Sequence, residues 1–243
     1  MPIIGTEYIK HTNTNMQQLL FFIGKLYSYI CPKTVLDKWD AIKLHCFVGY
    51  KSGQFRHLGE KSTLRPHTIY IGEKYISIGA NSHIGDYGRL TAYSYYPHTK
   101  QTFSPEITIG NNCSIGAQSH ITAINKIVIG NYVLTGPRVL ITDNAHGNSV
   151  DKNEKLDIPP YKRELISNGP VIIEDNVWIG EGSMIMPNVK IGRGSVIAAN
   201  SVVTKDIPSY CMAAGSPAKI IKTIEIAISV CYTFIVYHRI KAA

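Results

Sequence analysis

The clearest candidate for catalysis is a histidine in a polar stretch of the chain. His146 follows Asp143 and Asn144 near the start of residues 142–170, which interrupt an otherwise regular pattern of aliphatic residues. A histidine can take a proton from a hydroxyl near neutral pH, because its ordinary pKa lies close to that range. A loop of this length inside a compact domain is usually functional or disordered. The stretch therefore predicts acid–base chemistry, with Asp143 orienting His146, receiving a substrate, or serving only in a turn.

The other histidines and the cysteines give weaker signals. We expect most of the remaining eight histidines to be surface or turn residues: His11, His45, His57, His67, His83, His98, His120 and His238. His83 and His120 occupy similar phases of the repeat described below, so they could line a cleft. The five cysteines are widely spaced without a CxxC pair: Cys31, Cys46, Cys113, Cys211 and Cys231. Neither a disulfide framework nor a zinc ribbon is indicated, and we expect free thiols in a reducing compartment.

The composition sets the class of molecule. The 243 residues allow one large domain with appendages, and 44% hydrophobic with 17% charged residues excludes a disordered, strongly charged chain. The formal net charge of +8 suits nucleic acid, anionic lipid or a phosphorylated ligand without choosing among them. The amino-terminal segment lacks the features of a signal peptide, and no apolar run is long enough to span a bilayer. We therefore expect a cytoplasmic, soluble protein.

A six-residue repeat dominates the chain and predicts its fold. Positions 173, 179, 185, 191, 197 and 203 read Ile, Ile, Ile, Ile, Ile and Val, and Gly180 and Gly192 directly follow two of these isoleucines. A period of six fits neither a helix nor a continuous strand, whose periods are 3.6 and 2. Six residues can form one short strand and one turn, where glycine or asparagine tolerates left-handed backbone. Stacked turns of this kind bury an aliphatic column and form a solenoid.

Several longer motifs make a family resemblance specific. They are Ile129-Gly130-Asn131, Asp143-Asn144-Ala145-His146, Asp175-Asn176-Val177-Trp178-Ile179-Gly180, Val203-Thr204-Lys205-Asp206-Ile207-Pro208 and Ala214-Gly215-Ser216-Pro217-Ala218-Lys219. Over residues 70–222 the chain resembles the hexapeptide-repeat acyltransferases. It is most similar to the maltose/galactoside-type enzymes and to the sugar O-acetyltransferases of capsule and lipopolysaccharide synthesis. The resemblance implies an all-β solenoid, a left-handed parallel β-helix, that carries the 142–170 loop as an insertion.

The resemblance also implies a reaction and a set of site residues. Acetyl-CoA would supply the acetyl group, His146 would act as general base, and Asp143 and Asn144 would contact a sugar acceptor, with no metal involved. Aromatic, small and basic residues would bind acetyl-CoA: Trp178, Gly180, Ala198, Ala199, Thr204, Lys205, Lys219 and Lys222. The lysines could approach the cofactor phosphates as point charges. Because members of the family are trimers with active sites between subunits, we expect a homotrimer.

Two appendages flank the predicted solenoid. Residues 1–69 form a helical amino-terminal region, in which an amphipathic helix over 16–31 ends before Pro32 and a second short helix covers 34–47. These helices would cap the open end of the solenoid. Alternatively, they would bind the inner face of the membrane, where lipid-linked sugars lie. Residues 223–243 form a tail whose alternating pattern predicts a strand of unassigned role.

Other functions remain open at this level. The same fold could acetylate an amino sugar, an antibiotic or serine, although the serine enzymes carry a larger amino-terminal domain. The absence of asparagine at 116–118, where the maltose/galactoside-type enzymes use one to hold the acceptor, argues against a maltose- or galactoside-like acceptor. Glu181 replaces a serine of the galactoside-type enzymes, so that contact does not carry over. A zinc enzyme of the γ-carbonic-anhydrase type requires two histidines five residues apart, and this chain has no such pair. A non-catalytic β-helix would not need His146, and nucleic-acid binding is supported by charge alone.

Overall fold

The computed structural model describes residues 14–30, 33–147 and 157–224. The chain divides into two compact units, residues 1–46 and residues 47–243. Four of the histidines and cysteines named above lie outside the described ranges: His11, Cys31, Cys231 and His238. The tail beyond Ile224, where a strand was predicted, also lies outside them. Within those ranges no helix combines the length and hydropathy that a bilayer-spanning segment requires.

Two helices begin the described chain. The first, α1, covers Thr14–Ile30, and the second, α2, covers Lys33–Ser52, so both predicted helices are present and the second is longer than expected. Large apolar side chains of α1 are exposed, among them Phe21 at 76% and Phe22 at 63%. The last turns of α2 belong to the second unit, where Phe47 and Val48 pack against the core of the sheets.

Three parallel sheets form the second unit, and the chain passes through them in turn. The first, face one, contains His57–Leu58, Ile76–Ile78, Glu106–Ile109, Lys126–Ile129, Val171–Ile173 and Lys190–Ile191. Face two contains His83–Ile84, Ser114–Ile115, Leu134–Thr135, Trp178–Ile179, Val196–Ile197, Cys211–Gly215 and Ala218–Thr223, and only its last pair is antiparallel. Face three contains Ile69–Ile71, Arg89–Ala92, His120–Ala123, Leu140–Thr142, Met184–Ile185 and Val202–Val203. Short 3₁₀ turns occur at Glu73–Tyr75 and Pro160–Lys162.

The core is the aliphatic column that the repeat predicts. Ile173, Ile179, Ile185, Ile191 and Ile197 are all fully buried. They lie on the three faces in rotation, since each six-residue step moves the chain from one face to the next. Burial of each such side chain contributes about 1.5–3 kcal/mol relative to exposure. Phe55 and Leu64 also belong to this core, so the sheet region begins before residue 70, where the sequence analysis expected it to start.

The corners between faces explain the polar residues of the repeat. Asn176, Asn188 and Asn200 adopt left-handed backbone, with φ of 59°, 61° and 56°, which asparagine tolerates better than most residues. Gly180 is required for a different reason, because a Cβ there would lie 2.5 Å from the backbone nitrogen of Ala199 in the next coil. These corners therefore hold successive coils at the spacing that parallel strands require.

Two segments leave the repeat at the same edge, where the chain passes from face three to face one. The first, residues 93–105, carries a hairpin of Tyr95–Tyr96 with Gln101–Thr102, and we call this segment the aromatic hairpin. The second, residues 143–170, pairs Ala145–His146 with Leu165–Ile166, and we call it the catalytic loop because it carries the predicted base His146. One tight coil, in which residues 124–125 alone connect the two faces, lies between them. The two excursions therefore project from the same edge on either side of this coil.

Candidate active site

His146 is positioned by a short antiparallel pairing inside the catalytic loop. Its register partner is Leu165, and the neighbouring Gly147 N–H donates to the Glu164 carbonyl oxygen at 2.8 Å. The His146 side chain is exposed, and its ring lies against the ring of Tyr96 with centroids 5.7 Å apart. The imidazole of His146 is therefore exposed at the surface, and the ring of Tyr96 restricts its rotation.

Asp143 is buried and its carboxylate binds the backbone of the neighbouring coil. Its side chain is fully buried, and its two carboxylate oxygens accept hydrogen bonds from the backbone N–H groups of Ile124 at 3.0 Å and Asn125 at 2.9 Å. Among the alternatives left open above, these contacts fit the turn role of Asp143. The contact of Asp143 with an acceptor stays a prediction. The sequence alone did not distinguish the turn role, because the neighbouring coil supplies the donors.

Asn144 is held by the same carboxylate and remains a candidate for the acceptor site. Its side-chain nitrogen donates to Asp143 Oδ1 at 3.0 Å and to the carbonyl oxygen of Thr122 at 3.4 Å. Its backbone is also held in a local turn, because the Thr142 hydroxyl accepts a hydrogen bond from the Asn144 N–H at 3.2 Å. Since the amide nitrogen is engaged, the amide oxygen is the atom that can accept from a ligand. Asn144 lines the cavity that contains His146.

The aromatic hairpin and the catalytic loop are joined by side-chain contacts. Gln101 forms two hydrogen bonds to the backbone of Leu165, accepting from its N–H at 2.8 Å and donating to its carbonyl oxygen at 3.2 Å. The Tyr96 hydroxyl donates to the carbonyl oxygen of Tyr161. Rings of Tyr161, His98, Tyr96 and His146 follow one another in edge contacts with centroids 5.2–5.7 Å apart. These contacts connect His146 to a segment about fifty residues earlier in the chain.

A cavity of about 380 Å³ opens between the two excursions. Its lining comes from the hairpin, the intervening coil and the catalytic loop: Tyr93, Tyr95, Tyr96, Pro97, His98, His120, Thr122, Asn144, His146 and Leu165. Burial lowers the pKa of His120 below its ordinary 6.5, and the nearby charge of Arg89 lowers it further. His120 is therefore neutral at neutral pH and can both donate and accept a hydrogen bond. The cavity volume lies in the range typical of small-molecule sites.

The residues predicted to contact acetyl-CoA lie elsewhere on this subunit. None of the eight lines the cavity that contains His146. Trp178 is 53% exposed on the outside of face two, where its register partners are Leu134 and Val196. Lys219 and Lys222 are exposed on the final antiparallel strand of the same face.

The other predicted cofactor residues are found at two corners. Gly180 is buried and stacks on Ala198 and Ala199 between faces two and three, consistent with the close approach described above. Thr204 and Lys205 are exposed where the last strand of face three ends. A single subunit therefore holds the histidine and the predicted cofactor residues on separate parts of its surface.

The aromatic hairpin is the part of the site that the sequence analysis missed. A signal was present, because the repeat breaks between Leu90 and Ile107 by a number of residues that is not a multiple of six. The interruption also contains the aromatic cluster Tyr93 to His98. His120, which the repeat phase suggested for a cleft, does line the cavity, whereas His83 lies on face two and hydrogen-bonds to Thr63.

Across 14–30, 33–147 and 157–224, no three histidine, cysteine or acidic side chains are grouped so as to hold a metal ion. Burial raises the pKa of the Cys113 thiol, and Cys113 and Cys211 both pack in the core of the sheets. These two thiols are structural.

Known protein families match this chain within its six-residue repeat. The family described as bacterial transferase hexapeptide (six repeats) matches residues 170–205, and the hexapeptide repeat of succinyl-transferase matches residues 106–133. Galactoside O-acetyltransferase of Escherichia coli K12 is 31% identical over 177 residues, which cover 71% of this chain and 75% of that protein. A match of this length includes both excursions as well as the repeats.

Other relatives align over shorter segments. An Escherichia coli K12 protein named as a lipopolysaccharide biosynthesis O-acetyl transferase, WbbJ, is 40% identical over 118 residues, 48% of this chain and 60% of its own. Galactoside O-acetyltransferase of Lactococcus lactis is 42% identical over 122 residues, 48% of this chain and 55% of its own. The chain thus spans little more than half the length of these two relatives.

Solved structures support the fold. AntD, an N-acyltransferase from Bacillus cereus crystallised with dTDP and 3-hydroxybutyryl-CoA, has a TM-score of 0.60 at 22% identity, covering 80% of this chain and 94% of AntD. A hexapeptide-repeat acetyltransferase of Vibrio cholerae has a TM-score of 0.51 at 25% identity, covering 89% and 96% of the two chains. At these identities the likeness concerns the architecture of stacked coils.

Proposed function

Because this chain belongs to the hexapeptide-repeat acetyltransferases, we propose that it transfers an acetyl group from acetyl-CoA to a hydroxyl of a sugar or glycan precursor. Such a precursor would serve capsule, O-antigen or exopolysaccharide synthesis. The fold would be the left-handed parallel β-helix of the family, which accords with three parallel sheets visited in rotation. The observation that carries the proposal is the His146 imidazole in a cavity that also presents neutral hydrogen-bonding groups.

His146 would act as the general base in this reaction. A neutral imidazole takes the proton of the acceptor hydroxyl as its oxygen bonds to the acetyl carbonyl carbon, a step that contributes about 10²- to 10⁴-fold. The thioester bond then breaks, and the proton returns from the imidazolium to the departing thiolate. Acetyl-CoA supplies the activated acetyl group, and no acyl-enzyme is needed. The ring contact with Tyr96 and the pairing with Leu165 hold the imidazole for both proton transfers.

The test compares the wild-type protein with His146→Ala. Release of free thiol from acetyl-CoA is measured with a panel of glycosides, and with amino sugars as the competing class of acceptor. We expect the variant to lose at least about 10²-fold in rate with a far-UV circular dichroism spectrum like that of the wild type. A folded variant of undiminished rate would exclude His146 as the base. Exclusive acetylation of the amines would redirect the assignment to N-acetyl transfer.

A homotrimer with sites between subunits would reconcile the two separated groups of residues. One subunit presents His146 on one part of its surface and Trp178 on face two, outside the cavity. In a closed ring the same two patches of adjacent copies face each other, so that each site takes His146 from one copy and Trp178 from the next. Acetyl-CoA would bind along that second surface, with Gly180, Ala198 and Lys205 nearby.

Mixing inactive subunits tests this arrangement. If each site takes His146 and Trp178 from different copies, random reassembly of His146→Ala with Trp178→Ala subunits restores both residues at about one site in four. We therefore expect about a quarter of the wild-type activity from an equimolar mixture, and none from either variant alone. Light scattering should give the mass of three chains. A mixture as inactive as its components would show that both residues act within one subunit.

We also propose that the protein works in the cytoplasm, with its amino-terminal helices at the inner face of the membrane. Phe21 and Phe22 expose most of their surface. Lys25 lies in the same helix, and Lys33 and Lys38 lie in the next helix. Apolar and basic residues together favour binding to anionic lipid. Sedimentation with phosphatidylglycerol vesicles, compared with phosphatidylcholine vesicles, measures this. Equal sedimentation of the wild type and a Phe21→Ser, Phe22→Ser double variant would exclude membrane binding through these side chains. It would favour the alternative, in which the helices cap the coils.

A further inference from the structure

His146 lies on a pairing of strands that is too short to be stable alone. Ala145–His146 and Leu165–Ile166 form a sheet of two strands, which joins none of the three faces. An isolated pairing of two strands is marginally stable at best in water. A general base must nevertheless stay within about 2.6–3.2 Å of the hydroxyl that it deprotonates. The catalytic loop therefore needs support from another part of the chain.

Gln101 of the aromatic hairpin gives this support to Leu165, the register partner of His146. Its side-chain oxygen accepts a hydrogen bond from the Leu165 N–H at 2.8 Å, and its side-chain nitrogen donates to the Leu165 carbonyl oxygen at 3.2 Å. A neighbouring strand of an antiparallel sheet forms the same pair of hydrogen bonds with a single residue. The amide of Gln101 thus takes the place of a third strand beside the catalytic loop.

Thr99 fixes the orientation of this amide. The Thr99 hydroxyl donates to Gln101 Oε1 at 2.7 Å, so the oxygen accepts two hydrogen bonds and the nitrogen is left to donate. With the amide rotated by half a turn, two donors would meet at the Leu165 N–H and two acceptors at its carbonyl oxygen. Because Leu165 is buried, unpaired backbone groups there would be costly. The hairpin therefore supplies both the amide and the group that orients it.

Gln101 reaches His146 through the backbone of the catalytic loop. It does not line the cavity that contains His146, and its side-chain hydrogen bonds within the described residues go to Thr99 and Leu165. The imidazole itself is exposed, with the ring of Tyr96 at one edge. The position of the imidazole therefore depends on where the paired strands place its backbone.

We propose that Gln101, oriented by Thr99, is a positioning residue for general-base catalysis by His146. The inference rests on the proposed function, which it deepens by naming a residue that acts through His146 without contacting either substrate. A displacement of about 1 Å in a reacting group can lower a rate about 100-fold, so the loss of two hydrogen bonds at the paired strand should be visible in kcat. The aromatic hairpin then takes part in catalysis although it carries none of the reacting groups.

The first test separates positioning from stability. Gln101→Leu should lower kcat about tenfold and Thr99→Val about threefold, both with little change in KM for the acceptor. Ser62→Ala is the matched control, because it removes two hydrogen bonds of a buried side chain within the coils, outside the cavity. It should lose stability in urea as Gln101→Leu does and keep the wild-type kcat. A rise in KM alone for Gln101→Leu, or an equal loss of kcat in Ser62→Ala, would overturn the inference.

A double substitution shows whether the effect passes through His146. In the His146→Ala background, Gln101→Leu should change the residual rate of thiol release by less than about twofold, because the group that it positions is gone. A further tenfold loss in the double variant would mean that Gln101 acts on a substrate independently of the histidine, and the inference would be wrong.

NMR spectra of the histidine rings give a readout that needs no substrate. The His146 resonance is assigned by its absence from His146→Ala, and it responds to the position of the imidazole beside the Tyr96 ring. We expect Gln101→Leu to move this resonance and Ser62→Ala to leave it unchanged. A resonance that stays in place in folded Gln101→Leu contradicts the inference. Failure of the proposed function looks different: the resonance would move, yet His146→Ala would release thiol as fast as the wild type.

Discussion

Replacement of Asp143 separates a structural role from a substrate-binding one. In Asp143→Ala the backbone N–H groups of Ile124 and Asn125 lose their acceptors inside the protein. Hydrogen bonds to a charged group contribute about 1.5–3 kcal/mol each, so the two together suggest a loss of about 3–6 kcal/mol in the free energy of unfolding. For a protein of this size that corresponds to a fall of about 6–24 °C in Tm.

A second substitution grades the effect. Asp143→Asn keeps the shape of the side chain and one acceptor oxygen, so it should lose about half as much, roughly 1.5–3 kcal/mol. The control is Asp40→Ala, which removes an exposed carboxylate in an ion pair with Lys43 and should change stability by less than about 0.5 kcal/mol. All four proteins are compared by urea denaturation and thermal scanning at one subunit concentration, since assembly contributes to apparent stability.

If Asp143→Ala unfolds at the same urea concentration and temperature as Asp40→Ala, the buried carboxylate does not stabilise the neighbouring coil. If the same variant then raises only KM for the acceptor, Asp143 contacts substrate, as the family resemblance first suggested. We expect the opposite, a large loss of stability together with reduced kcat, because Asp143 supports the backbone that leads to His146.

Three further outcomes test the positioning of the site and the packing of the coils. Gln101→Leu removes both hydrogen bonds to the Leu165 backbone and should lower kcat about tenfold and stability by about 1–3 kcal/mol, as thiol-release kinetics and urea denaturation would detect. Gly180→Ala forces a Cβ against backbone and should destabilise the protein by about 1–3 kcal/mol in urea, whereas Gly49→Ala, in open space on a helix, should be neutral or stabilising. The folded-state pKa of His120 lies below its ordinary 6.5, so the unfolded chain binds this proton more readily and stability falls as the pH drops through 6.5. His120→Gln should reduce that fall between about pH 7.5 and about pH 5.5, and an unchanged pH dependence would contradict it.

The repeat was readable in the sequence because it is local. A buried residue every six positions records the phase of each short strand, as Ile173, Ile179 and Ile185 show by their complete burial. The residue types at the corners are equally local signals. Asn176 tolerates the left-handed backbone of its corner, and Gly180 allows the close approach of the next coil. Such requirements recur in every coil, so one chain contains many independent copies of the same signal. The fold class and the position of His146 therefore followed from sequence patterns and motifs.

The site was decided by contacts that no local pattern records. The carboxylate of Asp143 is buried because the preceding coil supplies two backbone donors, and the sequence around residue 143 is equally compatible with an exposed turn. Tyr96 meets His146 because two excursions leave the same edge of the coils with one tight coil between them. Their approach depends on the number of coils between the interruptions and on how each excursion closes. The sequence by itself determined the stacked coils and the histidine, and the tertiary structure alone determined the walls of the cavity around it.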